Sequence, residues 1–439
     1  MTITANTETQ ESGATTTYTK WVLALFFAAI FIPGSFYVGI RMTPYRLYLM
    51  VMAIPMIMRA SKDPTLRITA ADVLIILLLS WQSLSILVNH RTSELVFAGS
   101  SFGERLLGYM LGRVFIRSPS DFRFFFKCFL AMLLATLPFA LVESLTRQRL
   151  LGNLAGHVLL QPDEPGAPVR FGLMRVRGSF ETFLVFGAFC AIGFANVFYV
   201  YLEKFPRSIL YSGFVAFMTA LAISTSSLLV IFLQTILIIY NFIFRWLKHR
   251  WIILAMLSVV PLLFAKTIIT YIIRSVMFSR YSGDARSLHF EFGVKEIYQH
   301  PIFGVGLNHW DNAYWLSQAV DNFWLASTLQ SGIPSAVFAG CFFATHYIAI
   351  ATEKNLSNDE KVLRTGYLIS FISIVLGFFA INFYAASLVF FLLYCGAGAM
   401  FYNSSRVEVG RPRIAARGRP RTMRSRLARP AGAQSRTLH

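Results

Sequence analysis

Arginine, histidine and aspartate cluster in two short stretches of this chain where their types could act together. Arg175 and Arg177 stand two residues apart in one stretch; Arg280, Arg286, His309, Asp321 and Asn322 follow one another in the other. A guanidinium presents a planar fork of donors that matches an oxyanion, so these arginines suit an anionic ligand. The competing reading of Arg286 is an ordinary salt bridge on a loop helix, and Arg175 can stand in for Arg177. Asp321 has three readings: a general base whose pKa is set by burial, a group that orients an acceptor, or the cap of the helix that follows. Asn322 reads as structural or acceptor-orienting, and His309 is next in line as a base. His289, His300 and His309 lack the spacing of a metal site. No glycine-rich nucleotide loop is present either, so neither a metal nor a cofactor is expected.

These residues must be positioned by an unusual chain. It has 439 residues, 56% of them hydrophobic and 14% charged, with mean hydropathy +0.57. Soluble domains carry about 25% charged residues, so the chain is too apolar to be soluble throughout, and far too hydrophobic to be disordered. In hydrocarbon only helices and closed barrels satisfy the backbone. The apolar runs are continuous and about twenty residues long, the length of a spanning helix rather than of a barrel strand. The expectation is an all-α polytopic membrane protein with about twelve transmembrane helices, at 21–40, 43–58, 70–89, 95–116, 123–142, 181–202, 208–223, 227–244, 251–272, 323–350, 365–381 and 383–402. The first does not read as a cleaved signal peptide, because a polar stretch with Glu8 and Glu11 precedes it.

Orientation follows from Lys and Arg in the short loops. With the N-terminal tail (1–20) inside, 26 of the 40 basic residues fall on the inner side, ten of them arginines between Arg406 and Arg436 in the tail 403–439. Both termini are therefore expected in the cytoplasm, flanking a membrane domain over 21–402. The net charge of +19 reads as topology, with the tail drawn to anionic inner-leaflet lipid rather than to nucleic acid. Cys128, Cys190, Cys341 and Cys395 lie in apolar runs and read as small hydrophobes. Glu104-Arg105 within a span reads as an internal salt bridge or as the lining of a path.

Two extended outside loops break the pattern, 143–180 and 273–322, and hold arginine where the orientation rule discourages it. In the second, Ser282-Gly283-Asp284 predicts a turn and cap, and 285–299 a helix ending at His300-Pro301. On it Arg286, His289 and Gly293 are neighbours at helical spacing. Pro301-Ile302-Phe303-Gly304-Val305-Gly306 predicts a tight turn where backbone approaches a ligand closely. Glu143 is placed to face the first loop's arginines, and Ser224-Thr225-Ser226-Ser227 predicts a short outside turn.

Arg286, the run His300–Gly306, Asp321-Asn322-Phe323-Trp324-Leu325 and Gly332, in that order, resemble the O-antigen ligase/polymerase family. Arg175-Val176-Arg177-Gly178-Ser179-Phe180-Glu181 resembles its Arg-x-x-Gly-x-Phe element, and the likeness covers roughly 170–340. The resemblance implies a metal-independent glycosyltransferase of GT-C-like lipid-carrier architecture in the bacterial inner membrane, with periplasmic loops. It implies Arg177, Arg286 and Asp321 as catalytic residues, and Arg175, Arg280, His309 and Asn322 as substrate-binding ones. The donor would be a glycan on undecaprenyl pyrophosphate and the acceptor a second glycan, with other polysaccharide-assembly proteins as partners. Ligases of the family carry a His where this chain has Asp321, which favours a polymerase of exopolysaccharide or O-antigen repeats. The alternatives are the ligase that transfers glycan to the lipid A core, and, from another class, a secondary transporter or lipid-linked oligosaccharide flippase. Transporters keep polar sites near the midplane and often show repeated halves. Here polar density lies in the outside loops and no repeat is visible.

Overall fold

The computed structural model describes residues 15–160, 169–247, 250–251, 253–254 and 280–402, with 280–282 described in backbone only. The expected span at 251–272 falls outside them beyond its first residues, as do the tail from 403 and the Arg280 side chain.

The described residues are mostly helical, and several helix starts are written in short polar signals. Thr69 with Asp72, Ser118 with Asp121 and Ser357 with Glu360 each close a reciprocal capping box. The helices are α1 (Thr17–Phe31), α2 (Pro44–Lys62), α3 (Ala70–His90), α4 (Leu95–Phe115), α5 (Pro119–Thr146), α6 (Leu150–Gly156), α7 (Phe183–Val200), α8 (Phe205–Leu221) and α9 (Thr225–Ile243). They continue with α10 (Arg280–Gln299), α11 (Phe323–Thr352), α12 (Asn358–Gly377) and α13 (Ala385–Gly398). Six segments among the described residues are long and apolar enough to cross a membrane: Ala70–Phe115, Pro119–Thr146, Phe183–Val200, Thr225–Ile243, Phe323–Thr352 and Ala385–Tyr402. The first of these folds back on itself at the 3₁₀ turn Arg91–Glu94, so that α3 and α4 pack together. The chain is thus a multi-pass helical membrane protein.

α7 and α13 run through the middle of the bundle, with most of their residues buried. Phe129 of α5, Phe189 of α7 and Phe390 of α13 pack together with ring centroids 4.5–5.9 Å apart. Where lipid is as apolar as the side chains, close backbone approach takes over as the cohesive force. α4 and α13 show it: a Cβ on Gly112 would sit 2.0 Å from the Leu393 carbonyl oxygen, and one on Gly396 2.1 Å from that of Tyr109.

Several expectations are corrected. The apolar run 21–40 is helical only to Phe31; Pro33 and Gly34 end the helix, and a small hairpin pairs Phe36–Val38 (β1) with Ile40–Met42 (β2). Ser282-Gly283-Asp284 is not a turn but part of α10, which is described from Arg280 and ends, as expected, just before His300. Glu104 and Arg105 do not pair with each other, because helix neighbours point apart. Glu104 pairs with Arg46 of α2, and Arg105 donates to Gln82 of α3 at 2.9 Å.

Candidate functional site

Two backbone features bring the loops together. At the C-terminal end of α5, the buried Glu143 carboxylate accepts the N–H groups of Arg177 and Gly178, each at 3.1 Å. It thus faces the first loop as expected: besides these backbone N–H groups, Arg149 Nε of the same loop lies 3.9 Å from its Oε1. Next to it, Val176 N–H donates to the Leu221 carbonyl at 3.1 Å, and Arg175 Nε to that of Ala222 at 3.3 Å. The first loop is therefore pinned to the turn between α8 and α9. A second hairpin, Val169–Arg170 (β3) with Leu173–Met174 (β4), holds Arg170 within electrostatic reach of Arg175.

In the second loop, α10 lies along α11. Gly293 faces Leu325, and a Cβ there would come within 3.0 Å of it. Phe292 and Ile297 join Val305, Trp310, Val320, Leu325 and Leu329 in a small apolar cluster. The Pro301–Gly306 turn has its glycines at positive φ, Gly304 at 61° and Gly306 at 66°. Its close approach is to the chain's own backbone. Val305 and Gly306 N–H donate to the carbonyls of Leu329 and Gln330 at 2.9 Å, and Ile333 N–H donates back to Pro301 at 2.8 Å. Trp81 of α3 stacks on Phe303 with centroids 5.3 Å apart, and Ser85 donates to the Phe303 carbonyl at 2.5 Å. Gly332 (φ 75°), where α11 kinks, leaves the space that the turn fills. The motif is a clasp holding the second loop on α3 and α11.

With both loops held, four chain segments converge. Arg286 Nη2 donates to Ser226 Oγ at 3.0 Å and lies 3.7 Å from Asp321 Oδ2. The Arg175 guanidinium lies over the Phe183 ring, 3.1 Å from its centre, within electrostatic reach of Arg170, Arg286 and Asp321. His289, one turn beyond Arg286, sits with Nε2 2.8 Å from the Ser317 carbonyl, and its charge, when present, acts on Asp321. If Nε2 carries the proton, it donates that bond and leaves Nδ1 as an acceptor.

Arg286 and Arg175 act on the Asp321 carboxylate, and Arg170 acts on both arginines. Burial lowers the Arg175 pKa to about 9, with Arg170 and Arg286 pushing the same way and Asp321 opposing. Burial also lowers Arg170, helped by Arg286, and lowers Arg286 against the pull of Asp321. Asp321 moves up, because loss of water outweighs the attraction of Arg286, His289 and Arg175. Its side chain remains 42% exposed, at the open mouth of the cluster. A carboxylate raised towards neutrality beside cations that repel one another suits proton transfer next to a bound anion.

The expected site residues separate accordingly. Asp321, Arg286 and Arg175 come together. Arg177 is buried where Glu143 holds its backbone, and its Nη1 reaches the Glu181 carbonyl at 3.5 Å. Arg175, two residues before it, enters the cluster through its guanidinium. Asn322, and not Asp321, caps α11, its Oδ1 accepting the Leu325 N–H at 3.0 Å; Asp321 is left to face Arg286. His309 is exposed on the loop surface. Arg170, His289 and Ser226 belong to the cluster without having stood out in the sequence. Arg170 had the signal of an arginine in the first loop, and His289 that of its three-residue spacing from Arg286 on a helix. Among the described residues no three His, Cys, Asp or Glu side chains form a metal-binding group. No family model and no curated protein matches this chain.

Proposed function

We propose that the chain is a carrier-dependent glycan polymerase of the bacterial inner membrane. It transfers an oligosaccharide from undecaprenyl pyrophosphate to a hydroxyl of a second carrier-linked repeat, at the outer face. The observation that carries this reading is Arg286 held between Asp321 and Ser226, with Arg175 and Arg170 around it. A glycosyl diphosphate needs cations where negative charge grows as the leaving group departs, and a base at the attacking hydroxyl. Arg286, Arg175 and Arg170 serve the first need and Asp321 the second. The acceptor oxygen bonds to the anomeric carbon as the anomeric C–O bond to the diphosphate breaks. The electron pair leaves on the diphosphate, and the acceptor's proton passes to Asp321. The twelve-span topology, with both termini cytoplasmic and the loops periplasmic, puts this cluster on the side where carrier-linked repeats are presented.

Two measurements test the reading. Deleting the gene and sizing both the surface glycan and the carrier-linked pool should leave single repeats on the carrier; long chains stranded on the carrier indicate a ligase, and repeats that fail to reach the outer face a flippase. Impermeant thiol labelling should modify Ala313→Cys in intact spheroplasts and Asn355→Cys only after permeabilisation; the reverse pattern refutes the orientation.

A further inference from the structure

We propose that Ser224 and the first turn of α9, which Thr225-Ser226-Ser227 form in place of the loop turn expected there, are an anion cradle that receives the diphosphate opposite Asp321. The inference rests on the polymerase reading for the identity of the ligand, and adds to it the direction in which the substrate lies.

Three independent features meet at this turn. α9 is a nineteen-residue helix, and the N–H groups of its first turn have no intrahelical acceptor, which makes that end electropositive. Ser224, the N-cap residue, makes no capping bond, and its hydroxyl is buried without a hydrogen-bond partner among the described residues. Ser224 is 1% exposed and Ser226 2%. Leaving a buried hydroxyl unsatisfied is costly, so such a group points to a partner that arrives later. The third feature is Ser226, whose hydroxyl already accepts from Arg286, the residue that also faces the carboxylate.

The turn is also held rigidly. Arg175 and Val176 bind the carbonyls of Ala222 and Leu221, and Ile223 is kept at φ 45°, in the left-handed region that a β-branched residue avoids. Such strain persists only where the surroundings impose it. The cost here is met by the contacts that aim the helix end at Arg286.

Arg286 therefore divides the site into two sides. A diphosphate cannot lie against Asp321, which repels it, but finds donors on the α9 side. Arg286 exchanges Ser226 for a phosphate oxygen, and the Ser226 hydroxyl turns to donate to the same anion. The acceptor hydroxyl then approaches from the Asp321 side, and the sugar lies between them, in line with the departing oxygen.

The test titrates inorganic pyrophosphate into the full-length protein in nanodiscs of uncharged lipid, read by calorimetry. Ser224→Ala/Ser226→Ala should weaken binding by about ten- to a hundredfold, the scale of lost hydrogen bonds to a charged group. Asp321→Asn should tighten it, because the repelling charge is gone. The near-isosteric pair Ser226→Thr and Ser226→Val reads the hydroxyl alone should the double variant lose its fold, and Thr should bind at least fivefold tighter than Val. Equal affinities in that pair, or wild-type affinity in a folded double serine variant, overturn the cradle. If Arg286→Ala still weakens binding in that case, the arginine site and the polymerase reading survive it. Weaker binding in Asp321→Asn overturns the assigned direction, and no binding by the wild type overturns cradle and diphosphate site together.

Discussion

Replacing Arg286 by Gln should move the acidic limb of the pH–rate profile upwards, besides slowing the reaction. The carboxylate of Asp321 has its pKa raised by loss of water and held back by Arg286, whose Nη2 is 3.7 Å away. At that distance a unit charge contributes about 4 kcal/mol at an effective dielectric of 20 and about 1 kcal/mol in bulk water. With 42% of the Asp321 side chain exposed, the lower part of this range applies, about 1–2 kcal/mol after solvent screening. That corresponds to about one pH unit. The sign follows from the role. A general base works when deprotonated, so activity falls as pH drops through its pKa. Removing the cation that favours the carboxylate raises that pKa and brings the fall to higher pH. Arg286→Lys keeps the charge, so its limb should stay within a few tenths of the wild type while its rate is reduced by loss of the planar fork. The assay is single-turnover transfer from carrier-linked donor by purified protein between pH 5 and 9. An acidic limb that stays in place in Arg286→Gln refutes either the role of Asp321 as base or its coupling to Arg286.

Glu143→Ala should strand two buried N–H groups and free the first loop, with a stability loss of about 3 kcal/mol from two charge-assisted bonds and a loss of pyrophosphate affinity through Arg175; a thermal midpoint equal to wild type refutes it. His289→Ala should lower the transfer rate at least tenfold whereas His309→Ala leaves it within twofold, since only His289 faces Asp321; equal rates in both refute the assignment, read in the same transfer assay. Gly332→Ala should destabilise by more than about 3 kcal/mol, because φ is +75° and a Cβ would lie 1.9 Å from the Ile302 carbonyl oxygen; monodisperse protein with a wild-type melting profile refutes the clasp.

Hydropathy runs and caps are local properties, and they located the helices closely. The expected span at 123–142 lies within Pro119–Thr146, and that at 323–350 coincides with Phe323–Thr352. Asp72, Asp121 and Glu360 closed their capping boxes from sequence neighbours alone. The run 21–40 misled because apolar residues continue past Pro33 and Gly34 into a hairpin, and hydropathy does not distinguish a helix from a short strand. The two loops were legible as functional candidates because their arginines conflict with the orientation rule. Which arginine reaches Asp321 was not legible. Arg175 and Arg177 lie on the same stretch with the same chemistry, and the choice rests on Glu143, thirty-four positions before Arg177, which fixes the backbone there. Ser226 and Arg286 are sixty positions apart, and their hydrogen bond depends on the pinning of the first loop to the α8–α9 turn. The glycine turn shows the same division. Its positive φ values follow from residue type, but what its backbone touches depends on the kink at Gly332 and on Trp81 and Ser85 of α3. Sequence alone determined most helices, the membrane character and the chemistry available in the two loops, because each follows from neighbours within a few residues. Only the tertiary structure decided which of those groups meet, because their meeting depends on packing between segments far apart in the chain.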